Sequence, residues 1–367
     1  MNERLRRLAG IGQSVWMDSL SRDDIQNGNL QRMMEDGVLG VTSNPTIFQQ
    51  AIARSELYDE ELQELAEETD DPKEIFRRIA VRDIQDACDI FMPVYELYEQ
   101  TERKDGYVSL EVAPELAHDT EGTVTRAKLL SEMIDRPNLL VKIPATREGL
   151  PAIEETIAAG ISVNITLIFS LERYRDVARA YIRGLQRLVE GGGDPSKVAS
   201  VASFFVSRVD TETDRRLEEV GREDLKGRLA IDNAKIVYQE FKKIFGGPEW
   251  ESLESRGAKK QRPLWASTST KNPEYKDTIY VDNLIGPETV NTMPLSTLEA
   301  TMNHAEVRPT LEEGVDEARR LFEELREAGV DYDDVTGVLE KEGVQKFADR
   351  YNELMEEIEH KSNRLAR

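Results

Sequence analysis

Residues 138–146 read "NLLVKIPAT", with one lysine, Lys142, set among apolar neighbours and a proline that ends the run. An isolated ammonium is costly to take out of water, so such a lysine is paired, neutral or reactive. A neutral lysine amine in an apolar wall attacks a carbonyl and forms a Schiff base. The iminium is an electron sink, so the adjacent carbon–carbon bond can break or form. That chemistry also needs a base for a hydroxyl proton and a relay to dehydrate the carbinolamine. Two carboxylates would supply both roles, with no metal or organic cofactor.

Side chains alternate across a strand, which splits each short apolar segment into two faces. Lys142 shares a face with Leu140 and Pro144. In "GYVSLEV" (106–112), Tyr107, Ser109 and Glu111 share one, and in "SVNITLIF" (162–169), Ser162, Asn164 and Thr166 do. "SVWMDSL" (14–20) puts Asp18 beside Trp16, and "LGVTSNP" (39–45) offers Thr42 and Asn44. If these strands close into a barrel, Asp18, Asn44, Glu111, Lys142, Asn164 and Thr166 converge near the C-terminal ends of five consecutive strands. Active sites of barrels form at that end. A structural polar network is the competing reading for any single Asn, Ser or Thr. A lysine with two carboxylates on neighbouring inward positions points to chemistry, of the class I aldolase type.

The positioning elements follow the same alternation. Further candidate strands are "ASVASFFV" (199–206), "RPLWAST" (262–268) and "TVNTMP" (289–294), with "TIYVDNLIG" (278–286) ambiguous between strand and helix. Amphipathic segments such as "EGTVTRAKLLSEMI" and "LERYRDVARAYIRGLQRLVEG" lie between strands, the latter stopping at a Gly cluster. Eight strands each followed by helix predict an α/β chain folded as one (β/α)₈ TIM barrel, residues 1–367 forming a single domain. The surplus length is assigned to helical insertions after strand two and before strand seven, and to a helical C-terminal extension from about residue 305.

Composition excludes several classes. The 367 residues carry 48 Lys and Arg against 71 Asp and Glu, a net charge of −23, which argues against nucleic acid. The acidity fits either an ordinary soluble protein or a saline habitat. No apolar run reaches membrane-spanning length, and "MNERLRRLAGIGQSVWMD" lacks the apolar core of a secretory signal. The single Cys88 fits a reducing cytoplasm and a packing role, and three scattered histidines give no metal-ligand spacing. Phe169, Tyr174, Tyr181 and Trp265 read as core, His304 as helix surface, and the runs "DEELQELAEETDD" and "ELMEEIEH" as solvated helix faces.

"WMDSL", "GVTSNPTIF", "SLEVAPELAHDT", "LLVKIPAT", "ISVNITLIFSLERY", "ASFFVSRVD" and "TVNTMP" occur in an order that resembles the transaldolase family, in its longer bacterial branch. The resemblance runs from about residue 13 to 295. It implies a (β/α)₈ barrel that moves a dihydroxyacetone unit from sedoheptulose 7-phosphate to glyceraldehyde 3-phosphate. The products are erythrose 4-phosphate and fructose 6-phosphate, a step of the non-oxidative pentose phosphate pathway.

On this resemblance Lys142 is the Schiff-base lysine and Asp18 the acid/base for the C4 hydroxyl. Glu111 acts through a water held by Thr166, and Asn164 sits beside the lysine. Asn44 binds substrate hydroxyls, while Ser203 and Arg208 contact substrate and phosphate. Two positions depart from the shorter transaldolases. "WASTSTKNP" offers Lys271 where they carry a second phosphate-binding arginine, and Ser207 stands where they usually carry glycine. The expected partners are phosphorylated ketoses and aldoses, with no membrane, and a monomer or homodimer. Fructose 6-phosphate aldolase, a smaller relative releasing free dihydroxyacetone, and a non-catalytic sugar-phosphate-binding barrel are the alternatives.

Overall fold

The computed structural model describes residues 1–43, 48, 51–53, 55–99 and 105–365. Eight parallel strands close in chain order: β1 (Gln13–Met17), β2 (Gly40–Val41), β3 (Tyr107–Glu111), β4 (Leu139–Pro144), β5 (Val163–Ile168), β6 (Ser200–Phe205), β7 (Arg262–Ala266) and β8 (Thr289–Met293). β8 returns to β1, with Trp16 opposite Thr292. The chain therefore folds as the expected (β/α)₈ barrel. The ambiguous "TIYVDNLIG" supplies a helix, Ile279–Asn283, which leaves "TVNTM" as the eighth strand.

The alternation read from the sequence places two apolar layers. Trp16, Tyr107, Leu140, Val201, Leu264 and Val290 pack together as the inner cluster. Val15, Met17, Val108, Val141, Ile165 and Trp265 belong to the core shared with the helices. Gly40 allows this inner packing, because a Cβ there would sit 2.7 Å from the Trp16 indole. Below, Asp105 accepts hydrogen bonds from Ser14 Oγ at 2.6 Å, Trp16 Nε1 at 2.9 Å and Arg262 at 3.1 Å. This network fastens the N-terminal end of the barrel.

Helices Asp59–Glu68 and Pro72–Glu99 follow β2, and Ser207–Glu219, Leu229–Ile244 and Pro248–Glu254 lie between β6 and β7. After β8 come Leu295–His304, Val315–Glu327 and the C-terminal helix, Tyr332–Leu365. The start of that last helix is tied to the far side of the barrel. Arg216 pairs with Asp334 at 2.6 Å, Arg173 pairs with Glu340 at 3.2 Å, and the Leu171 backbone N–H donates to Tyr332 Oη at 3.0 Å. Its other end is tied to the insertion after β2. The buried Lys361 ammonium pairs with Asp59 at 2.6 Å and donates to the carbonyls of Ile52 and Ser55 at 2.8 Å each. The helix thus spans the C-terminal end of the barrel.

One expectation needs correcting. "DEELQELAEETDD" is not simply a solvated face. Asp59 holds Lys361, and Glu61 pairs with the buried Arg22 at 2.6 Å. Arg22 also binds the fully buried Asp83, whose other oxygen accepts from Tyr58 Oη at 2.9 Å. Buried charges survive only in such paired, hydrogen-bonded sets. The other packing expectations agree with the structure: Cys88, Phe169, Tyr174, Tyr181 and Trp265 are buried, and His304 pairs with Asp277 on the surface.

Candidate active site

Register decides which polar side chains meet. Glu111 lies opposite Lys142, Lys142 opposite Asn164, and Pro144 opposite Thr166. The Lys142 ammonium is 3.1 Å from Glu111 Oε2 and 3.5 Å from the Ser43 carbonyl, and its side chain is only 10% exposed. Burial pushes the Glu111 carboxyl above its ordinary range. Lys142 pulls it back by charge and hydrogen bond, and the Asp18 charge raises it further. The net direction is up, so Glu111 holds its proton to a higher pH than a solvated carboxylate.

Asp18 follows β1, where its backbone N–H donates to the Met293 carbonyl at 2.8 Å. Thr42 Oγ1 donates to Asp18 Oδ1 at 2.8 Å and lies 2.7 Å from Thr292 Oγ1, so two neighbouring strands orient the carboxylate. Asn164 is fully buried. It donates to Ser109 Oγ at 3.0 Å and accepts from Ser203 Oγ at 2.7 Å, which links β3, β5 and β6 below the lysine. Thr166 is buried next to a register shift against β6. There Leu167 adopts φ +60°, unusual for a non-glycine residue. Asn44 lies outside the described residues.

Arg208 is the second residue of helix Ser207–Glu219, and its guanidinium stands 5.2 Å over the Phe205 ring. Burial pulls Arg208 down from its ordinary range, against the charges of Asp18 and Glu342. Lys271 donates to Ser269 Oγ at 2.8 Å, and its ammonium is pushed down by the surrounding protein and by Arg208. Two cations close enough to repel, with no carboxylate in ion-pairing distance of either among the described residues, suit an anionic ligand. Ser207 is accommodated at the start of its helix without positive φ, donating from its backbone to the Ser267 carbonyl at 3.0 Å.

The structure therefore gathers Asp18, Glu111, Lys142, Asn164, Thr166 and Ser203 inside the C-terminal half of the barrel. Arg208, in the first turn of its helix, and Lys271, on the loop after β7, lie above them. Sequence reasoning missed Thr292, Phe205 and Phe347. The first two share the inward face with Val290 and Ser203, a signal present in the alternation. Phe347 comes from the C-terminal helix, which no local pattern connects to the barrel.

A cavity of about 660 Å³ lies at the opposite end around Ser14, Asp105 and Arg262. Its Ser14, Asp105 and Arg262 side chains bond one another as a structural network, whereas the lysine end sets Lys142 against Glu111 with the Asp18 charge nearby. Among the described residues no three His, Cys, Asp or Glu side chains are grouped to hold a metal, and no helix is long and apolar enough to cross a membrane.

Comparisons with known proteins agree with this fold. The family model described as "Transaldolase/Fructose-6-phosphate aldolase" matches residues 15–358. "Transaldolase" of Frankia alni is 50% identical over 360 residues, covering 97% of this chain and 96% of that protein. "Transaldolase" of a Parafrankia species is 52% identical over 363 residues, covering 98% of each. "Transaldolase 2" of Streptomyces coelicolor is 48% identical, covering 100% of this chain and 99% of its own length. The chain is an enzyme of the transaldolase type and belongs to the transaldolase/fructose-6-phosphate aldolase family.

Proposed function

We propose that the protein transfers a dihydroxyacetone unit from sedoheptulose 7-phosphate to glyceraldehyde 3-phosphate through a Schiff base on Lys142. The observation that carries this reading is the nearly dry Lys142–Glu111 pair with Asp18 beside it, under Arg208 and Lys271, which have no carboxylate in ion-pairing distance among the described residues. In this account the Lys142 amine adds to the ketose C2 carbonyl. Glu111, with a water held at Thr166, moves the protons that turn the carbinolamine into the iminium and release water. Asp18 takes the C4-hydroxyl proton as the C3–C4 bond breaks, and its electrons pass into the iminium to give an enamine. The aldose product leaves, the acceptor aldehyde enters, and the steps reverse. Asn44, Asn164 and Ser203 orient substrate hydroxyls, and Arg208 with Lys271 holds the phosphate.

The alternative within the family is release of free dihydroxyacetone. Supplying fructose 6-phosphate with and without an aldose acceptor separates the two. Transfer predicts turnover that depends on the acceptor. Release of dihydroxyacetone at a comparable rate without it refutes the transferase reading. Lys142 and two carboxylates facing one another also disfavour a non-catalytic binder, which gains little from a buried lysine.

A further inference from the structure

The C-terminal helix meets the site at two points one helical turn apart. At Gly343 a Cβ would stand 3.2 Å from Leu167 Cδ2 and 3.5 Å from the Phe169 ring, so the helix backbone rests directly on the distorted end of β5. At Phe347 the helix lines a cavity of 10 Å³ together with Ser43, Glu111, Val112 and Tyr351. A space of that size holds one water at most. Tyr351 in turn packs edge-on against Phe76 at 5.8 Å, and Phe76 against Phe48 at 5.7 Å. The helix is held at both ends by the pairs around Asp334 and Lys361, so this roof is fixed over the ends of β3 and β5.

We propose that Phe347, with Gly343 setting the height of the helix, keeps water from the Lys142 intermediate and so selects transfer of the three-carbon unit over its release. The inference rests on the Schiff-base reading. After the donor is cleaved, the enamine on Lys142 has two fates. An acceptor aldehyde can take up the carbon nucleophile. Otherwise C3 is protonated, one water adds to C2, the C2–N bond breaks, and free dihydroxyacetone leaves with the lysine amine regenerated. Water adds to C2 at the end of both routes, so the partition depends on a proton reaching C3 from water while the site waits for its acceptor. Phe347 touches the cavity beside Glu111 and not a reacting atom, which makes it a positioning residue.

The test measures dihydroxyacetone released per fructose 6-phosphate formed, using sedoheptulose 7-phosphate and glyceraldehyde 3-phosphate, with a melting curve for each variant. Phe347→Ala should raise that ratio at least about tenfold, and Phe347→Leu should restore it nearly to wild type. Gly337→Ala lies on the same helix in open space and should leave the ratio unchanged. A folded Phe347→Ala enzyme with the wild-type ratio overturns the proposal. If Phe347→Ala does not fold, Gly343→Val, which crowds Leu167 and Phe169 under the helix, is read in the same assay, and an unchanged ratio overturns it equally. Borohydride trapping on the wild type separates the two levels. No adduct on Lys142 removes the Schiff-base reading, whereas an adduct with a ratio insensitive to the roof removes only this inference.

Discussion

Lys142 Nζ stands 3.1 Å from Glu111 Oε2 on neighbouring strands in direct register, with the carboxylate side chain only 6% exposed. The pair is a proton donor and acceptor kept nearly free of water. Glu111→Gln keeps the shape and a hydrogen bond to the lysine but cannot exchange a proton. The variant should lower kcat by about 10²–10⁴-fold. It should also lose the pH limb expected of the wild type above the ordinary carboxylate range. Rate profiles from pH 4 to about 9 check both.

Arg208 and Lys271 should act on binding more than on chemistry. Charge-assisted bonds to phosphate contribute about 1.5–3 kcal/mol each. Arg208→Ala should therefore raise KM for phosphorylated donors by about 10–100-fold while kcat changes less. Donors lacking the phosphate should be nearly unaffected. Lys271→Ala should show the same pattern more weakly, because an ammonium binds phosphate as a point charge without the guanidinium fork. An Arg208→Ala enzyme that treats both donor types as the wild type does removes the assignment.

Asp210 supplies a stability prediction with a definite sign. It lies buried in the same helix as Arg208, accepts from the Ala230 N–H at 2.7 Å and from Tyr280 Oη at 2.9 Å, and is pushed up to about 7, chiefly by burial. Between the unfolded value of 3.8 and about 7, the unfolded chain has released this proton and the folded chain has not. The unfolded state then binds fewer protons, so this group's contribution to stability falls as pH rises through that window. Asp210→Asn should remove that loss. Its Tm relative to wild type should rise from pH 4 to pH 8, as melting curves across that range would show.

Arg22, Glu61, Asp83 and Tyr58 join the start of the first crossover to the insertion after β2. Arg22→Ala leaves the Asp83 carboxyl buried without its cation and should cost about 3–5 kcal/mol, measured by urea unfolding. A loss under about 1 kcal/mol would mean that the pair contributes no more than an exposed ion pair does.

The period-two alternation exposed most of the site. Glu111, Lys142, Asn164 and Thr166 were legible because barrel strands put every second side chain inward, and their register then follows from closure. The eight strands were legible for the same reason, with β2 shorter than its apolar run suggests. Three features were not legible. The Leu167 φ of +60° has no local sequence signal, since no glycine or asparagine marks it. The partly buried carboxylates of Asp59 and Glu61 look like surface charge until Lys361 and Arg22, far away in the chain, arrive beside them. The roof at Gly343 and Phe347 depends on a helix more than 150 residues beyond β5 crossing the barrel, a contact fixed by tertiary packing alone.

The central claim is that Lys142 forms a covalent iminium with the donor. Incubation with fructose 6-phosphate, reduction with borohydride and peptide mass spectrometry test it directly. The account predicts one adduct of reduced donor or three-carbon unit, on the peptide containing Lys142, lost together with turnover in Lys142→Ala. An unmodified Lys142 in an enzyme that still turns over, or an adduct on another lysine, would contradict it.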